Sequence, residues 1–168
     1  HVFNQLAGTK SESVGGTTFD AGDFAKLLDS GVVAFAAATA KDWVTAGAVS
    51  QAIRTQLEHN VLASITLGDG NVAGLLYVIN GKAWDGETPV TVEQLDSGVE
   101  MLNRMLRGKD ATKATTIFSG VYPGGSVSDE IQILGMIGGL PYPKGRLQEL
   151  ASKAGHGRDA VAEHLGIF

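Results

Sequence analysis

The stretch GGTTFDAGDFAKLLDSG, residues 15–31, places two acids directly before a short apolar segment. Asp20 and Asp23 are three residues apart, and Leu27 and Leu28 follow at a spacing that predicts a helix. Residues i and i+3 lie on one face of a helix, so both carboxylates are expected to point the same way. The simplest interpretation is helix capping, because the free N–H groups and the macrodipole of a helix start stabilise Asp.

Hydrophobic periodicity on the C-terminal side of this stretch predicts four buried strands and two principal helices. The predicted strands are 32–39, 72–79, 115–121 and 130–137, and the principal helices are 44–61 and 92–107. The second helix has the clearest signals, since Thr91 and Gln94 have capping-box spacing and Gly108 follows its end. Its predicted buried stripe is Leu95, Val99, Leu102 and Leu106. A loop is predicted at 82–89, and shorter helices at 144–154 and 159–165.

The connections between these elements predict a mixed sheet. Helices separate the first three strands, which favours parallel neighbours. The tight Tyr122-Pro123-Gly124-Gly125 connection predicts that the last two strands pair antiparallel with each other. The predicted fold is therefore α/β (α+β), a mixed four-stranded sheet packed with two principal helices. On the exposed side of the first principal helix, Arg54 and Glu58 are expected to form an i,i+4 ion pair.

Composition limits the classes of function. The chain has 168 residues with 43% hydrophobic residues, enough for the core of one domain. Its net charge is −5 and it has no basic block, which argues against nucleic acid as a partner. Without cysteine, neither a disulfide framework nor a thiolate metal site can form. The apolar runs are too short to cross a bilayer, so a cytoplasmic protein is expected. His1 in place of Met suggests a trimmed fragment or a tag remnant, so a longer gene product is expected.

Other candidate sites in the sequence are weaker than the acid pair. His156 and His164 are eight residues apart but are separated by glycines, so surface histidines are a better interpretation than metal ligands. The Gly-rich runs at 15–18 and 124–126 resemble phosphate cradles, yet neither follows a strand and opens a helix with the lysine spacing of a P-loop. No Gly-x-Ser-x-Gly nucleophile motif is present, and no metal-ligand set is predicted.

The order of motifs over residues 15–140 resembles the C-terminal half of the tubulin/FtsZ superfamily. There, Asn-x-Asp-x-x-Asp ends the synergy loop and opens a helix, and the matching run here is TFDAGD, residues 18–23. Both acids are kept, whereas Thr18 stands at the Asn position. The runs GLLYVING at 74–81 and IFSG at 117–120 resemble later strands of the family, and SDE at 128–130 resembles the start of the last one.

The resemblance implies a filament-forming GTPase. In that family an N-terminal domain binds GTP, and the synergy loop of one subunit enters the nucleotide site of the next subunit in a head-to-tail filament. By this resemblance Asp20 and Asp23 are the catalytic acids, and Thr18 is a substrate-binding residue. GTP and Mg²⁺ are implied for the full-length protein, with neither expected on this chain alone. Further subunits are the implied partners, together with regulatory or membrane-tethering proteins.

The resemblance divides the chain into three parts. Residues 1–14 are expected to be the tail of a central connecting helix and a loop, 15–140 the GTPase-activating assembly domain, and 141–168 a helical C-terminal tail. The role of the whole protein in division, shape or DNA partition is left open. Two alternatives also stay open: a stand-alone α/β interaction module whose acids only cap a helix, and a small hydrolase, for which no complete nucleophile set is present.

Overall fold

The computed structural model describes residues 19–45, 47–59, 66–124 and 129–153. Five helices, four strands and one 3₁₀ turn lie within those ranges. In chain order they are α1 (Ala21–Asp29), β1 (Val32–Ala40), α2 (Ala48–His59), the 3₁₀ turn Leu67–Asp69, β2 (Val72–Ile79), α3 (Lys82–Asp85), α4 (Val92–Arg107), β3 (Thr116–Pro123), β4 (Ile131–Leu140) and α5 (Lys144–Lys153). The predicted helix at 159–165 and residues 1–14 lie outside the described ranges. No helix within them combines the length and the apolar character needed to cross a membrane.

The four strands form one mixed sheet in the order β1-β4-β2-β3, which confirms the predicted fold class. β2 and β3 are parallel neighbours, as predicted. The prediction that β1 is also a neighbour of β2 is wrong, because β4 lies between them and runs antiparallel to both. The predicted pairing of β3 with β4 is wrong. In the register of β4, Ile137 lies opposite Ala34 on one side and Ala73 on the other. Both edges of β4 are therefore occupied, and β2 lies between β4 and β3.

The sequence of β4 explains its central position. Its ten residues are almost all apolar or glycine, the composition of a strand covered on both faces. The strand also continues to Leu140, beyond the predicted end at Ile137. Gly138 lies within the strand, and α1 packs closely against it. A Cβ at this position would lie 3.0 Å from the Leu27 carbonyl oxygen at the end of α1, which explains the glycine. This glycine thus provides close contact with a helix, not a strand end.

The first face of the sheet, formed by residues such as Ala73, Leu75 and Ile137, carries α2 and α4 and holds the main core. Leu95, Leu102 and Leu106 of the predicted stripe are buried there, and Val99 is half-buried against the same cluster. These contacts confirm the two principal helices. α2 is shorter at its start than the predicted 44–61, and its exposed pair is as predicted, with Arg54 Nε 2.8 Å from Glu58 Oε1.

The start of α4 is fixed by the predicted capping box. The Thr91 hydroxyl accepts from the Gln94 backbone N–H at 3.3 Å, and Gln94 Oε1 accepts from the Thr91 N–H at 2.8 Å. Gln94 also donates to the Trp43 carbonyl at 2.7 Å, which ties α4 to the segment before α2. Gly108 follows the helix with φ +54°, a conformation that favours glycine.

Two local features were not predicted from the sequence. Residues 82–89, predicted as a loop, contain the single-turn helix α3. Its first residue, Lys82, donates its backbone N–H to Asp129 Oδ1 at 3.1 Å, so a residue distant in sequence supports the turn. The second feature is Lys113, whose ammonium donates to the Gly68 carbonyl, to that of Gly70 at 2.6 Å and to that of Leu106 at 3.0 Å.

A buried tyrosine joins the sheet to α4. The Tyr77 hydroxyl donates to the Leu95 carbonyl at 2.7 Å, and Tyr77 is fully buried. Burial raises the pKa of Tyr77 well above its usual value, and the charge of Asp96 acts in the same direction. Space for this hydroxyl comes from Gly98 of α4, because a Cβ at that position would overlap the hydroxyl oxygen.

Candidate functional site

The candidate acids lie at the start of α1, on the second face of the sheet. Asp20 is the N-cap residue, and its Oδ1 accepts from the Asp23 backbone N–H at 2.9 Å. Asp23 Oδ2 in turn accepts from the Asp20 N–H at 3.4 Å, which completes a reciprocal capping box. The structure thus brings the two predicted acids together through the first turn of one helix. It also gives both a capping role.

The surroundings of the two carboxylates differ. Asp23 is buried at 9% exposure, and its Oδ1 also lies 3.0 Å from Lys26 Nζ, so both of its oxygens have partners. Asp20 is exposed, and its Oδ2 has no hydrogen-bond partner among the described residues. Of the two acids, Asp20 is therefore the one with a carboxylate oxygen that no described residue contacts by a hydrogen bond, on a side chain exposed to water or a ligand.

Phe19 anchors the chain immediately before the acids. Its ring makes edge-on contacts with Phe24 and Phe118, at centroid distances of 6.2 and 6.3 Å. Its carbonyl accepts from the Tyr122 hydroxyl at 2.5 Å. Phe19 is itself buried, so its packing fixes where the backbone enters α1 and hence where Asp20 lies.

Two strand glycines make room for this anchor. A Cβ at Gly74 of β2 would lie 2.6 Å from Phe19 Cε2, and a Cβ at Gly120 of β3 would lie 3.1 Å from Phe19 Cβ. Glycine inside a strand is a recognised sign of close approach by another part of the chain. These glycines were therefore a usable signal in the sequence for the surface that receives Phe19.

Lys26 is a residue of this site that sequence reasoning missed. Besides its contact with Asp23, its ammonium lies 5.4 Å from the centroid of the Phe118 ring, within the range of a cation–π interaction. Its spacing of three residues from Asp23 within one predicted helix was the available signal.

Thr18 lies outside the described residues, so its predicted role stays a prediction. Among the described residues, no cluster of three or more His, Cys, Asp or Glu side chains could hold a metal ion. Of the histidines, His59 is described, and its Nδ1 lies 2.7 Å from the Thr55 carbonyl oxygen on the same helix. His156 and His164 are outside the described ranges.

Comparison of the sequence with protein-family models and with curated proteins gave no match. Comparison with solved structures gave clear similarities. A TubZ protofilament in the GDP form, from Bacillus thuringiensis serovar israelensis, superposes with a TM-score of 0.59 over 86% of this chain. The chain has the fold of the tubulin/FtsZ C-terminal domain. Sequence identity to that TubZ is 15%.

Two further structures share the tubulin/FtsZ fold. A mutant FtsZ of M. jannaschii has a TM-score of 0.55, 16% identity and coverage of 75% of this chain and 33% of its own. CetZ2 of Haloferax volcanii, as a GTPγS-bound protofilament, has a TM-score of 0.50, 18% identity and coverage of 90% of this chain and 41% of its own. For the TubZ structure the matched share of its own chain is 38%. The present chain therefore spans about two fifths or less of each of these proteins.

Proposed function

We propose that this chain is the assembly domain of a filament-forming GTPase of the tubulin/FtsZ type, and that its acids complete the GTP hydrolysis site of the neighbouring subunit. The observation that carries the proposal is a shared fold with TubZ and CetZ2, two proteins whose structures are protofilaments in GDP and GTPγS forms. At the position of the motif, Asp20 lies exposed at a helix start, and its Oδ2 has no hydrogen-bond partner within the described part of the chain.

The geometry suits the proposed chemistry. Transfer of a phosphoryl group to water depends mainly on positioning the water and stabilising charge, with little covalent help from the protein. Asp20 Oδ2 is the oxygen that would accept a hydrogen bond from the attacking water. Asp23 would support Asp20 through the capping box, and Thr18 would add a hydroxyl close by in sequence. GTP and Mg²⁺ would be held mainly by a nucleotide-binding domain elsewhere in the longer protein.

The second face of the sheet is apolar and partly exposed, which supports the proposal that another part of a longer protein packs against it. α1 covers one part of it, over Val72 and Met136. Elsewhere on this face Phe35 is 45% exposed, Ala37 is exposed and Leu134 is half-buried beside a groove of about 370 Å³. An apolar sheet face is normally covered by another layer. We expect the remainder of the longer protein, including the connecting helix to which residues 1–14 would belong, to supply it.

The decisive experiment separates the charge of Asp20 from its capping role. Asn caps helices about as well as Asp, so Asp20→Asn should keep α1 stable while weakening the group that orients the water. In the longer protein we expect GTP binding and filament formation to persist, measured by calorimetry and light scattering. Phosphate release should fall by about 10²–10³-fold, as for loss of other pre-organised polar groups. Glu58→Gln, in an exposed pair on α2, is the matched control and should hydrolyse at the wild-type rate.

The alternative is a stand-alone interaction module in which the acids only cap α1. The reciprocal capping box is the observation that favours it, because capping alone accounts for both acids. In that case Asp20→Asn would leave any GTPase activity unchanged, and Asp20→Ala would cost about 1 kcal/mol of stability. A wild-type rate of phosphate release by the Asp20→Asn protein would thus favour the module and reject the catalytic role.

The nucleotide-binding part of the site would lie outside this chain, which determines what the chain does alone and what the whole protein does in the cell. Alone, the chain should neither bind nor hydrolyse GTP, and saturable GTP binding to it in calorimetry would contradict the assignment. The whole protein would be cytoplasmic and assemble with copies of itself, in a role such as division, shape or DNA partition. Regulatory or membrane-tethering proteins would be its further partners.

A further inference from the structure

We propose that Lys26 is a positioning residue of the subunit junction, which fixes the Asp23 carboxylate and cancels its charge toward the triphosphate of the neighbouring subunit. This inference rests on the proposed function, since it assumes that the start of α1 faces a bound nucleotide. Lys26 would act through Asp23 and would not touch the attacking water.

Lys26 lies between the Asp23 carboxylate of α1 and an aromatic ring of β3. Lys26 Nζ lies 3.0 Å from Asp23 Oδ1 and 5.4 Å from the centroid of the Phe118 ring, so the ammonium has partners on α1 and on β3. Phe118 in turn contacts Phe19, the anchor of the site. The carboxylate of Asp23, held also by the Asp20 N–H, is therefore linked to the sheet through a cation and a ring.

The Lys26–Asp23 ion pair differs in exposure from the Arg54–Glu58 pair of α2. The Asp23 side chain is only 13% exposed, while the Lys26 side chain is 68% exposed. In the Arg54–Glu58 pair of α2 the exposed fractions are 55% and 45%, so water screens both charges. In the Lys26–Asp23 pair the acid is thus largely buried, whereas the cation is exposed to solvent.

Lys26 also changes the charge that the start of α1 would present to a nucleotide. Two carboxylates three residues apart would repel the phosphates of a nucleotide that approaches the start of α1. Lys26 compensates Asp23. Of the two acids, Asp20 is then the one without a cationic partner among the described residues, and no described residue donates a hydrogen bond to its Oδ2. The junction would then tolerate the triphosphate and still keep one acceptor for water.

The test compares variants of the longer protein. Lys26→Met removes the cation from a well-exposed side chain and should raise the critical concentration for GTP-dependent assembly by at least about threefold. It should also slow phosphate release per assembled subunit by about tenfold, because Asp23 loses its fixed position. Lys26→Arg should stay within about twofold of wild type in both measurements. Arg54→Met, which breaks the solvated pair on α2, is the matched control and should change neither.

A double variant distinguishes charge compensation from a structural role. With Lys26→Met, adding Asp23→Asn removes the uncompensated charge and keeps an oxygen that can accept the Asp20 N–H. If Lys26 acts as proposed, the double variant should recover a critical concentration near that of wild type while hydrolysis stays slow. If Lys26 only holds the helix together, the second substitution should leave assembly as weak as in Lys26→Met or weaken it further. Lys26→Gln is a second neutral variant that guards against a folding defect of Lys26→Met.

The Asp20→Asn protein separates this inference from the function on which it rests. If Asp20→Asn hydrolyses GTP at the wild-type rate, the proposed function fails whatever Lys26 does. If Asp20→Asn is slow while Lys26→Met and Lys26→Gln match wild type, the function stands and the role of Lys26 is overturned. A double variant no better than Lys26→Met would likewise overturn it.

Discussion

Gly98 and Tyr77 should be strongly coupled in stability, because the helix glycine provides the space for the tyrosine hydroxyl. A Cβ at position 98 would overlap the hydroxyl oxygen of Tyr77 and would lie 3.1 Å from Leu75 Cδ2. In an open helix, Gly→Ala gains about 1 kcal/mol. Here the overlap should cost about 1–3 kcal/mol, which outweighs the gain, and Gly98→Ala should be destabilising by up to about 2 kcal/mol.

The partner substitution should remove most of that cost. Tyr77→Phe alone loses the buried hydrogen bond to the Leu95 carbonyl, at a cost of about 1 kcal/mol. It also removes the overlapping oxygen, and the next ring atom, Tyr77 Cζ, would lie 3.4 Å from the new Cβ, an ordinary contact. In the Tyr77→Phe background, Gly98→Ala should therefore be nearly neutral. The coupling energy should be about 1–2 kcal/mol in favour of the double variant.

Urea denaturation of the chain, followed by circular dichroism, measures all four corners of this cycle. Gly145→Ala is the matched control, since a Cβ at this glycine of α5 would meet nothing within 4 Å. It should be neutral or slightly stabilising, with the same effect in both Tyr77 backgrounds. Additivity of Gly98→Ala and Tyr77→Phe to within about 0.3 kcal/mol would refute the packing argument.

Two further predictions concern the same core. Leu102→Ala on α4 should lower the free energy of unfolding by about 2–5 kcal/mol because Leu102 is fully buried. Val92→Ala on the same helix should cost under about 0.5 kcal/mol because Val92 is 58% exposed. Comparable losses for the two variants in denaturation would show that the buried face of the helix is misassigned. Above pH ~10 the unfolded chain releases the Tyr77 proton and the folded chain keeps it, so stability should fall by up to about 1.4 kcal/mol per pH unit. Tyr77→Phe should remove that part of the slope, and an unchanged slope in pH-dependent denaturation would contradict a buried, neutral Tyr77.

The features that the sequence predicts well are those decided by neighbouring residues. The capping box of Thr91 and Gln94 lies within four residues, and the buried face of α4 follows from its period, so both are confirmed. The Asp20–Asp23 pair is equally local, and its spacing alone placed the two acids on one helix start. What spacing could not show is that Asp23 is buried while Asp20 is exposed. That difference depends on Phe19 and its packing against the sheet.

The features that the sequence does not predict depend on distant parts of the chain. A short connection between β3 and β4 suggests a hairpin, but whether another strand lies between them is decided by the whole sheet. Lys113 draws together carbonyls from a 3₁₀ turn and a helix end, and nothing in its own surroundings indicates those partners. The contact of the Tyr122 hydroxyl with Phe19 spans 103 residues. Lys26 could have been found from its spacing, but not its contact with Phe118.

The central position of β4 has a consequence for the order in which the protein can fold as it is synthesised. β1 pairs with β4 alone, so among the described strands it has no partner until residues 131–140 leave the ribosome. The parallel pair β2–β3 can form earlier, whereas the apolar strand β1 stays unpaired until β4 has been made. Unpaired apolar strands are prone to aggregate. A nascent chain stalled before Ile131 would hold β1 without a partner. Among the described strands, the one made earliest thus depends on the one made latest.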